Sequence, residues 1–233
     1  MRAGKEKNSY SAQELEPLRD TLQLGARVYE VLLNSIVSGH IKPGAALRPD
    51  VIARQLEVST TPVREAMHRL ENDGLAIKLA YQGWFVRGFT EQQIRELYEL
   101  RAALESFSVR LACQRITGEE MAWLHEHQKT GEAALASGNM DDYRVYNWDL
   151  HDAIMRAAKN SYLVASMGQI RLQSEMLIAQ TVGIIGRPVR AIDEHYRLID
   201  LIEKRDAKAA EQLMEYHILS AFEDIRASVT RGA

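Results

Sequence analysis

The sequence is poor in the features that mark export or membrane insertion. Cys113 is the one cysteine among 233 residues, so the chain cannot form an internal disulfide, which favours a reducing compartment. No apolar run approaches the roughly 20 residues that span a bilayer. The polar first ten residues lack the apolar core of an export signal. We therefore expect a cytoplasmic protein with no membrane partner.

Proline is also scarce, and its absence from the rear of the chain favours helices. Residues 91–229 contain a single proline, Pro188, and no alternating strand pattern. Short breaks at glycine, asparagine and aspartate divide this region. The pattern predicts six helices, near residues 91–115, 118–136, 140–158, 161–182, 189–204 and 206–229. Helices of this number and length predict an antiparallel six-helix bundle over residues 90–233.

The sequence also has no large excess of positively charged residues. The formal net charge is −3. Residues 1–89 hold 12 Lys and Arg against 10 Asp and Glu, whereas residues 90–233 hold 17 against 22. A slightly basic front on an acidic body is compatible with local phosphate contact, but so small a difference decides nothing by itself.

The front of the chain has a different pattern, with several turns and a hairpin. We expect residues 1–20 to form an N-terminal arm. Three helices are predicted over 22–38, 49–56 and 62–73, the third with Thr61 as N-cap and Pro62 at its first position. Two short strands, 76–79 and 84–86, flank a turn at 81–83. The fold class is therefore mainly α, with a winged helix-turn-helix over 21–89 in front of the bundle.

The third helix carries the DNA-reading hypothesis. Its apolar positions leave Thr60, Thr61, Arg64 and His68 facing outward near the helix N-terminus, where a recognition helix meets bases and phosphates. The planar fork of Arg64 can bond a guanine or a phosphate, and the hydroxyls of Ser59 and Thr61 suit phosphates. Taken singly, each of these residues is better read as a solvated surface residue.

The whole front segment resembles the GntR family of regulators. The resemblance implies a homodimer that binds a palindromic operator in double-stranded DNA. The family's DNA contacts near the second helix match Arg48 and Arg54, although Asp50 stands where a basic residue is common, and Gly83 matches the wing-tip glycine. Thr60 departs from the arginine usual at its position. The matching residues are Val28, Tyr29, Ile36, Gly39, Lys42 to Gly44, Leu47, Ala53, Leu56, Val58, Ser59, Thr61 to Ala66, Arg69, Leu70, Gly74, Leu75, Gly83 and Val86.

Three histidines fall on the apolar faces of three different bundle helices. They are His151, His195 and His217, and Asn147 lies one turn before His151. A single inward histidine is most often a satisfied core residue. Three imidazoles out of water each need a partner, and one divalent cation would satisfy them together. Spacing alone leaves both interpretations open.

This pattern also resembles a known domain. Asn147, His151, His195 and His217 match the metal ligands of the FCD ligand-binding domain in FadR-type regulators, and six helices are closest to its VanR-like branch. The resemblance implies zinc, nickel or manganese beside a small effector. Because Asn147 stands where aspartate is usual, no ligand in this set is anionic, which favours a carboxylate effector.

Arg101 lies on the inward face of the first bundle helix, an expensive place for an unpaired charge. One hypothesis makes it an effector-binding clamp on an anionic ligand. The other pairs it with Glu105, four residues on. His125 and His127 are two residues apart and are interpreted as surface residues.

These features predict a DNA-binding transcription regulator, specifically a repressor that a small organic acid controls through a metal site. The alternative from a different class is a metal-dependent hydrolase in which three histidines activate water. No general base shares the His151 face, and the winged helix would then have no role. A purely structural metal is the third possibility.

Overall fold

The computed structural model describes residues 21–181 and 186–231. The predicted N-terminal arm, residues 1–20, lies outside them. In the described part the elements follow in the order α1 (Thr21–Val37), β1 (Ala46–Leu47), α2 (Pro49–Gln55), α3 (Thr60–Asn72), β2 (Ala76–Leu79), β3 (Gly83–Val86), α4 (Glu91–Arg115), α5 (Gly118–Ser137), α6 (Met140–Ala157), α7 (Ser161–Thr181), α8 (Arg187–Glu203) and α9 (Ala207–Arg231). No helix in these ranges is long and apolar enough to cross a bilayer.

A three-stranded antiparallel wing follows the first three helices. The strand order is β1-β3-β2, with Ala46 opposite Phe85 and Leu79 opposite Gly83. The hairpin of β2 and β3 was predicted, but β1 was not. A two-residue strand is too short to show the alternation by which strands are recognised in a sequence.

The rear of the described chain is helical, as predicted, and six helices occupy residues 91–231. Capping boxes begin two of them, with Thr90 and Gln93 at α4 and Thr117 and Glu120 at α5. The longest helices, α4 and α9, pack against each other most extensively. Their contact builds the core in which the inward polar residues lie.

The helix α7 connects the winged helix-turn-helix with the bundle. Met176 is 3% exposed and belongs to the apolar core of the front module, and Leu172 packs beside it. Gln173 lies against Gly74, where an added Cβ would come within 2.4 Å of its amide nitrogen. From α6, Arg144 Nη1 donates to the carbonyl oxygen of Val37 at 2.9 Å. The two modules therefore share a packed boundary.

Candidate functional site

The outer face of α3 exposes a polar row. Thr60, Thr61, Arg64 and His68 are exposed. The opposite face is buried in the front core through Val63, Ala66, Met67 and Leu70. The helix therefore presents to solvent the residues assigned to DNA reading in the sequence.

The start of α3 differs from the prediction. The N-cap is Ser59 and not Thr61, so Pro62 is the third helical residue and is buried. The Ser59 side chain makes no capping hydrogen bond. The sequence assignment was wrong because a proline anywhere in the first turn satisfies the same preference. The first backbone N–H groups of α3 are thus not taken by a cap side chain and can meet an external acceptor.

Arg64 and His68 stand in different surroundings. Arg64 makes no hydrogen bond or ion pair among the described residues. The ring of His68 packs perpendicular to that of Trp84 at a centroid distance of 5.0 Å, and its Nδ1 lies 3.4 Å from Glu71 Oε2. The guanidinium of Arg64 is therefore free to donate hydrogen bonds to DNA, whereas the His68 ring packs against Trp84 of the wing.

The other sequence-assigned front residues are also at the surface. Arg48 is exposed immediately before α2. Arg54 is exposed and paired with Asp50 at 3.3 Å on the same helix, so part of its donor set is occupied. Such an exposed pair is weak and can exchange for a phosphate.

Gly83 is not at the tip of the wing. It is the first residue of β3, with φ +97° and no heavy atom within 4 Å of an added Cβ. The tip is formed by Tyr81, which has φ +63° and is fully exposed. Gly83 directly follows the turn that carries Tyr81 and pairs with Leu79 across it, so its contact with DNA stays a prediction.

Three imidazoles meet inside the bundle. His151 on α6, His195 on α8 and His217 on α9 are 5%, 0% and 3% exposed. One ligand atom from each lies within 4.8 Å of the others. The convergence assumed in the sequence is thus present, and three side-chain nitrogens lie close enough together to hold one metal ion.

The proton on His195 is located by its neighbours. Gln128 Nε2 donates to the carbonyl oxygen of Ile192 at 3.2 Å, so Gln128 Oε1 is free to accept. The Tyr146 hydroxyl donates its one proton to that oxygen at 2.5 Å. Tyr146 can then only accept from His195 Nδ1, 2.9 Å away. His195 Nε2 must therefore carry a lone pair.

Carboxylates locate the protons on the other two rings. Glu105 Oε2 lies 2.5 Å from His151 Nδ1, and Glu194 Oε2 lies 2.6 Å from His217 Nδ1. Burial would raise the pKa of Glu105, but Arg101 and His151 hold it at about 2. An ionised carboxylate only accepts, so His151 Nδ1 donates, and a carboxylate at Glu194 receives the His217 proton in the same way.

The remaining ring nitrogens fit a metal ion. His151 Nε2 and His195 Nε2 are buried and have no hydrogen-bond partner. Burial, together with the neighbouring imidazoles, lowers the pKa of His195 and His217 well below the usual value, so these rings are neutral. Neutral imidazoles whose Nδ1–H groups are held by hydrogen-bond acceptors, here two carboxylates and the Tyr146 hydroxyl, are the arrangement found around bound divalent cations.

A small chamber adjoins the histidines. Its volume is about 30 Å³, which is room for a water molecule and too little for an organic acid. Asn147, the fourth residue assigned to the metal, is on this lining together with His151 and His217. The lining consists of Tyr98, Arg101, Tyr143, Asn147, His151, Ile178, Arg187, Pro188, Ala191, His217, Ile218 and Ala221.

Arg101 has the partner that the competing hypothesis named. Its Nε and Nη2 lie 2.9 and 2.8 Å from Glu105 Oε1, and the pair is buried. Because Arg101 also lines the chamber, the ion pair does not remove it from contact with a ligand. The structure therefore adds a partner for Arg101 and keeps its side chain on the chamber lining.

Several residues around the histidines were not found from the sequence. Glu194, Arg187, Tyr146 and Gln128 are buried polar or aromatic side chains on inward helix faces. Periodicity marked Tyr146 as buried, but no local signal paired it with His195. His127, interpreted as a surface residue, is half-buried, and its Nε2 lies 3.2 Å from the Tyr146 carbonyl oxygen.

Two family models match this chain. The model described as bacterial regulatory proteins, gntR family, matches residues 24–86, and the FCD domain model matches residues 96–220. The first covers the winged helix-turn-helix, and the second covers the helices that carry the three histidines.

Whole-length relatives agree with these models. The Nta operon transcriptional regulator of Aminobacter aminovorans is 31% identical over 84% of this chain and 91% of its own length. The gluconate operon transcriptional repressor of Bacillus subtilis is 28% identical over 88% and 84%. Among solved structures, E. coli McbR/YncC has a TM-score of 0.75 at 22% identity, covering 88% of this chain and 98% of its own. That likeness concerns the fold alone.

Proposed function

Because this chain belongs to the gntR family of bacterial regulatory proteins and carries an FCD domain, we propose that it is a repressor controlled by a small carboxylate. Family membership makes it a DNA-binding transcription regulator. The family and the relatives are regulators and not enzymes, so the hydrolase alternative is set aside. The repressor assignment is supported by relatives named as repressors.

The proposed division of labour follows the two modules. Residues 21–89 bind the operator, and residues 90–233 bind the metal and the effector. On DNA, Arg64 contacts a base or phosphate from α3. Arg48, Arg54 and the wing near Gly83 contact the flanking backbone. The remaining contacts proposed on α3 and its cap are Ser59, Thr60, Thr61 and His68, all of them exposed.

The metal site is carried by the convergence of His151, His195 and His217, with Asn147 as the fourth ligand. Bound there, zinc, nickel or manganese would supply a positive centre to which a carboxylate oxygen can coordinate. Arg101 would hold the same carboxylate by hydrogen bonds. None of the three imidazoles or the amide brings negative charge, so the effector completes the shell with its own.

Occupancy of the chamber can reach the DNA-reading surface through α7. Ile178 lines the chamber, and Met176, two residues earlier, lies in the front core. A chamber of about 30 Å³ must widen to admit an organic acid, and movement of Ile178 then moves Met176. We propose that two copies bind a palindromic operator. Their reading helices must then sit about 34 Å apart, so a small displacement weakens binding.

The experiment measures metal content, DNA affinity and effector response together. The operator is a duplex selected from a random pool, and binding is followed by fluorescence anisotropy with zinc-loaded protein. A panel of small carboxylates should raise the apparent Kd for DNA. His195→Ala should lose metal and carboxylate response while DNA binding persists, and exposed His125→Ala is the matched control. Equal metal content in His195→Ala and the parent protein would contradict the assignment.

A further inference from the structure

The buried charges around the chamber cancel one another. Arg101 pairs with Glu105, and Arg187 Nη1 donates to Glu194 Oε2 at 2.9 Å. All four residues are less than 10% exposed. The three imidazoles add nothing, because each keeps its one proton on Nδ1, facing Tyr146 or a glutamate, and a ring binds a cation through Nε2 only in its neutral form. The chain itself therefore contributes a net charge near zero.

A divalent ion changes this balance by +2. Its ligands here are neutral imidazoles and the amide of Asn147, whereas the two glutamates already serve the arginines and the ring protons. Burying a net charge of this size is costly unless an opposite charge accompanies it. A ligand with one carboxylate compensates only half of the excess.

Hydrogen-bond donors for a second anionic group are present on the same lining. The Tyr98 hydroxyl is buried, forms no regular hydrogen bond and has the Arg101 guanidinium as its neighbour. Arg101 uses Nε and Nη2 on Glu105, so these bonds leave its Nη1 group available. Arg187 reaches the lining from the first turn of α8, where the helix dipole also favours an anion. Its bonds to Glu194 and to the His217 carbonyl oxygen use two of the five N–H donors of the guanidinium.

From this charge balance and these donors, we propose that the chamber binds a dianion, specifically a short dicarboxylate. One carboxylate faces the histidine cluster, and the other is received by Tyr98, Arg101 and Arg187. The apolar lining residues Ile178 and Ala191 suit the carbon chain between them. The inference rests on the proposed function and narrows its effector class.

The test compares ligands that differ by one charge at nearly constant size. Zinc-loaded full-length protein is titrated calorimetrically with malonate and malonamate, and with succinate and succinamate. We expect the dicarboxylate of a pair to bind at least about tenfold more tightly, as expected for one additional charge-assisted hydrogen-bonded group. Zinc content measured after each titration separates binding from extraction of the metal.

Two variants locate the second carboxylate. Tyr98→Phe removes a hydroxyl that forms no regular hydrogen bond and interacts only electrostatically with Arg101, so thermal stability should be retained. Affinity for the dicarboxylate should fall several-fold, and affinity for the monoamide should change less. Arg187→Gln should reduce the dianion preference further, and exposed Arg197→Gln on the same helix is the control. If Arg187→Gln fails to fold or to bind zinc, Tyr98→Phe still tests whether the second carboxylate binds at this end of the chamber.

The outcomes separate this inference from the function on which it rests. Equal binding of dicarboxylate and monoamide overturns the dianion inference, and so does an unchanged preference in Tyr98→Phe. Response of DNA binding to acetate or lactate but to no dicarboxylate also overturns it and leaves carboxylate control standing. If no carboxylate binds the zinc-loaded protein, both proposals fail.

Discussion

At the residue scale, each imidazole of the cluster is oriented by a different neighbour. The Nδ1–H group of His151 donates a hydrogen bond to Glu105, and that of His217 donates to Glu194. The Nδ1–H group of His195 donates to the Tyr146 hydroxyl. These partners fix the tautomer that leaves Nε2 for a cation, and a carboxylate also raises the basicity of the ring. The side chains that accept these hydrogen bonds are therefore as important to a metal site as the histidines.

Replacing Glu105 tests that role. Glu105→Gln removes the negative charge that holds both His151 and Arg101, so zinc affinity should fall about 10- to 100-fold. Competition with a chromophoric chelator measures the change. Glu99→Gln, exposed on the same helix, should retain parental affinity. Equal zinc affinity in Glu105→Gln would show that the carboxylate does not support the metal.

Arg64 is the residue on which DNA affinity should depend most. Its guanidinium is exposed and unpaired among the described residues, so Arg64→Ala removes no internal contact. We expect a loss of about 1–3 kcal/mol in operator binding, with unchanged thermal stability and zinc content. Gel-shift titration provides the measurement. Arg197→Ala removes the same charge from the bundle surface and should bind as the parent does; an unaltered Kd for Arg64→Ala would refute the assigned contact.

At the element scale, α7 is the helix that belongs to both modules. Met176 fills the front core, Leu177 fills the bundle core, and Ile178 lines the chamber. Three consecutive residues of a helix point in three directions, 100° apart. A helix packed on several sides cannot yield to a ligand on one side without disturbing the others.

Truncating Met176 should weaken this coupling. Met176→Ala leaves a cavity between α7 and the front module, for which the expected loss in stability is about 2–5 kcal/mol. Thermal unfolding measures that loss, and anisotropy with the selected duplex measures how far a carboxylate still shifts DNA affinity. The shift should shrink. Gln169→Ala, exposed on the same helix, is the control; a full carboxylate response in Met176→Ala would exclude α7 packing as the route.

At the scale of the whole molecule, the buried polar cluster and the metal bear on stability together. Without a cation, His151 Nε2 and His195 Nε2 have no hydrogen-bond partner. A metal that binds the folded chain raises its apparent stability by about 2.7 kcal/mol at a hundred times its Kd.

Removing the metal should therefore lower the melting temperature. For a chain of this size the expected fall is about 5–10 °C after chelator treatment, and stoichiometric zinc should restore the original value. Differential scanning calorimetry provides the measurement. His195→Ala should melt at the same temperature with and without zinc. A parent protein indifferent to chelator and zinc alike would argue against a resident metal.

Much of the architecture follows from local sequence. The bounds of α4, α5 and α6 were predicted to within a residue, because helix periodicity, capping threonines and Gly138 all act within a few positions. The same periodicity placed His151, His195 and His217 on buried faces. The capping residue of α3 was the local feature that this reasoning assigned wrongly.

The tertiary structure alone decided what those buried faces meet. Glu105 and His151 are 46 residues apart, Tyr146 and His195 are 49, and Glu194 and His217 are 23. The insertion of Met176 into the front core likewise joins distant parts of the chain. Periodicity shows that a side chain points inward, but its partner depends on how whole helices pack, and that information is spread over the entire sequence.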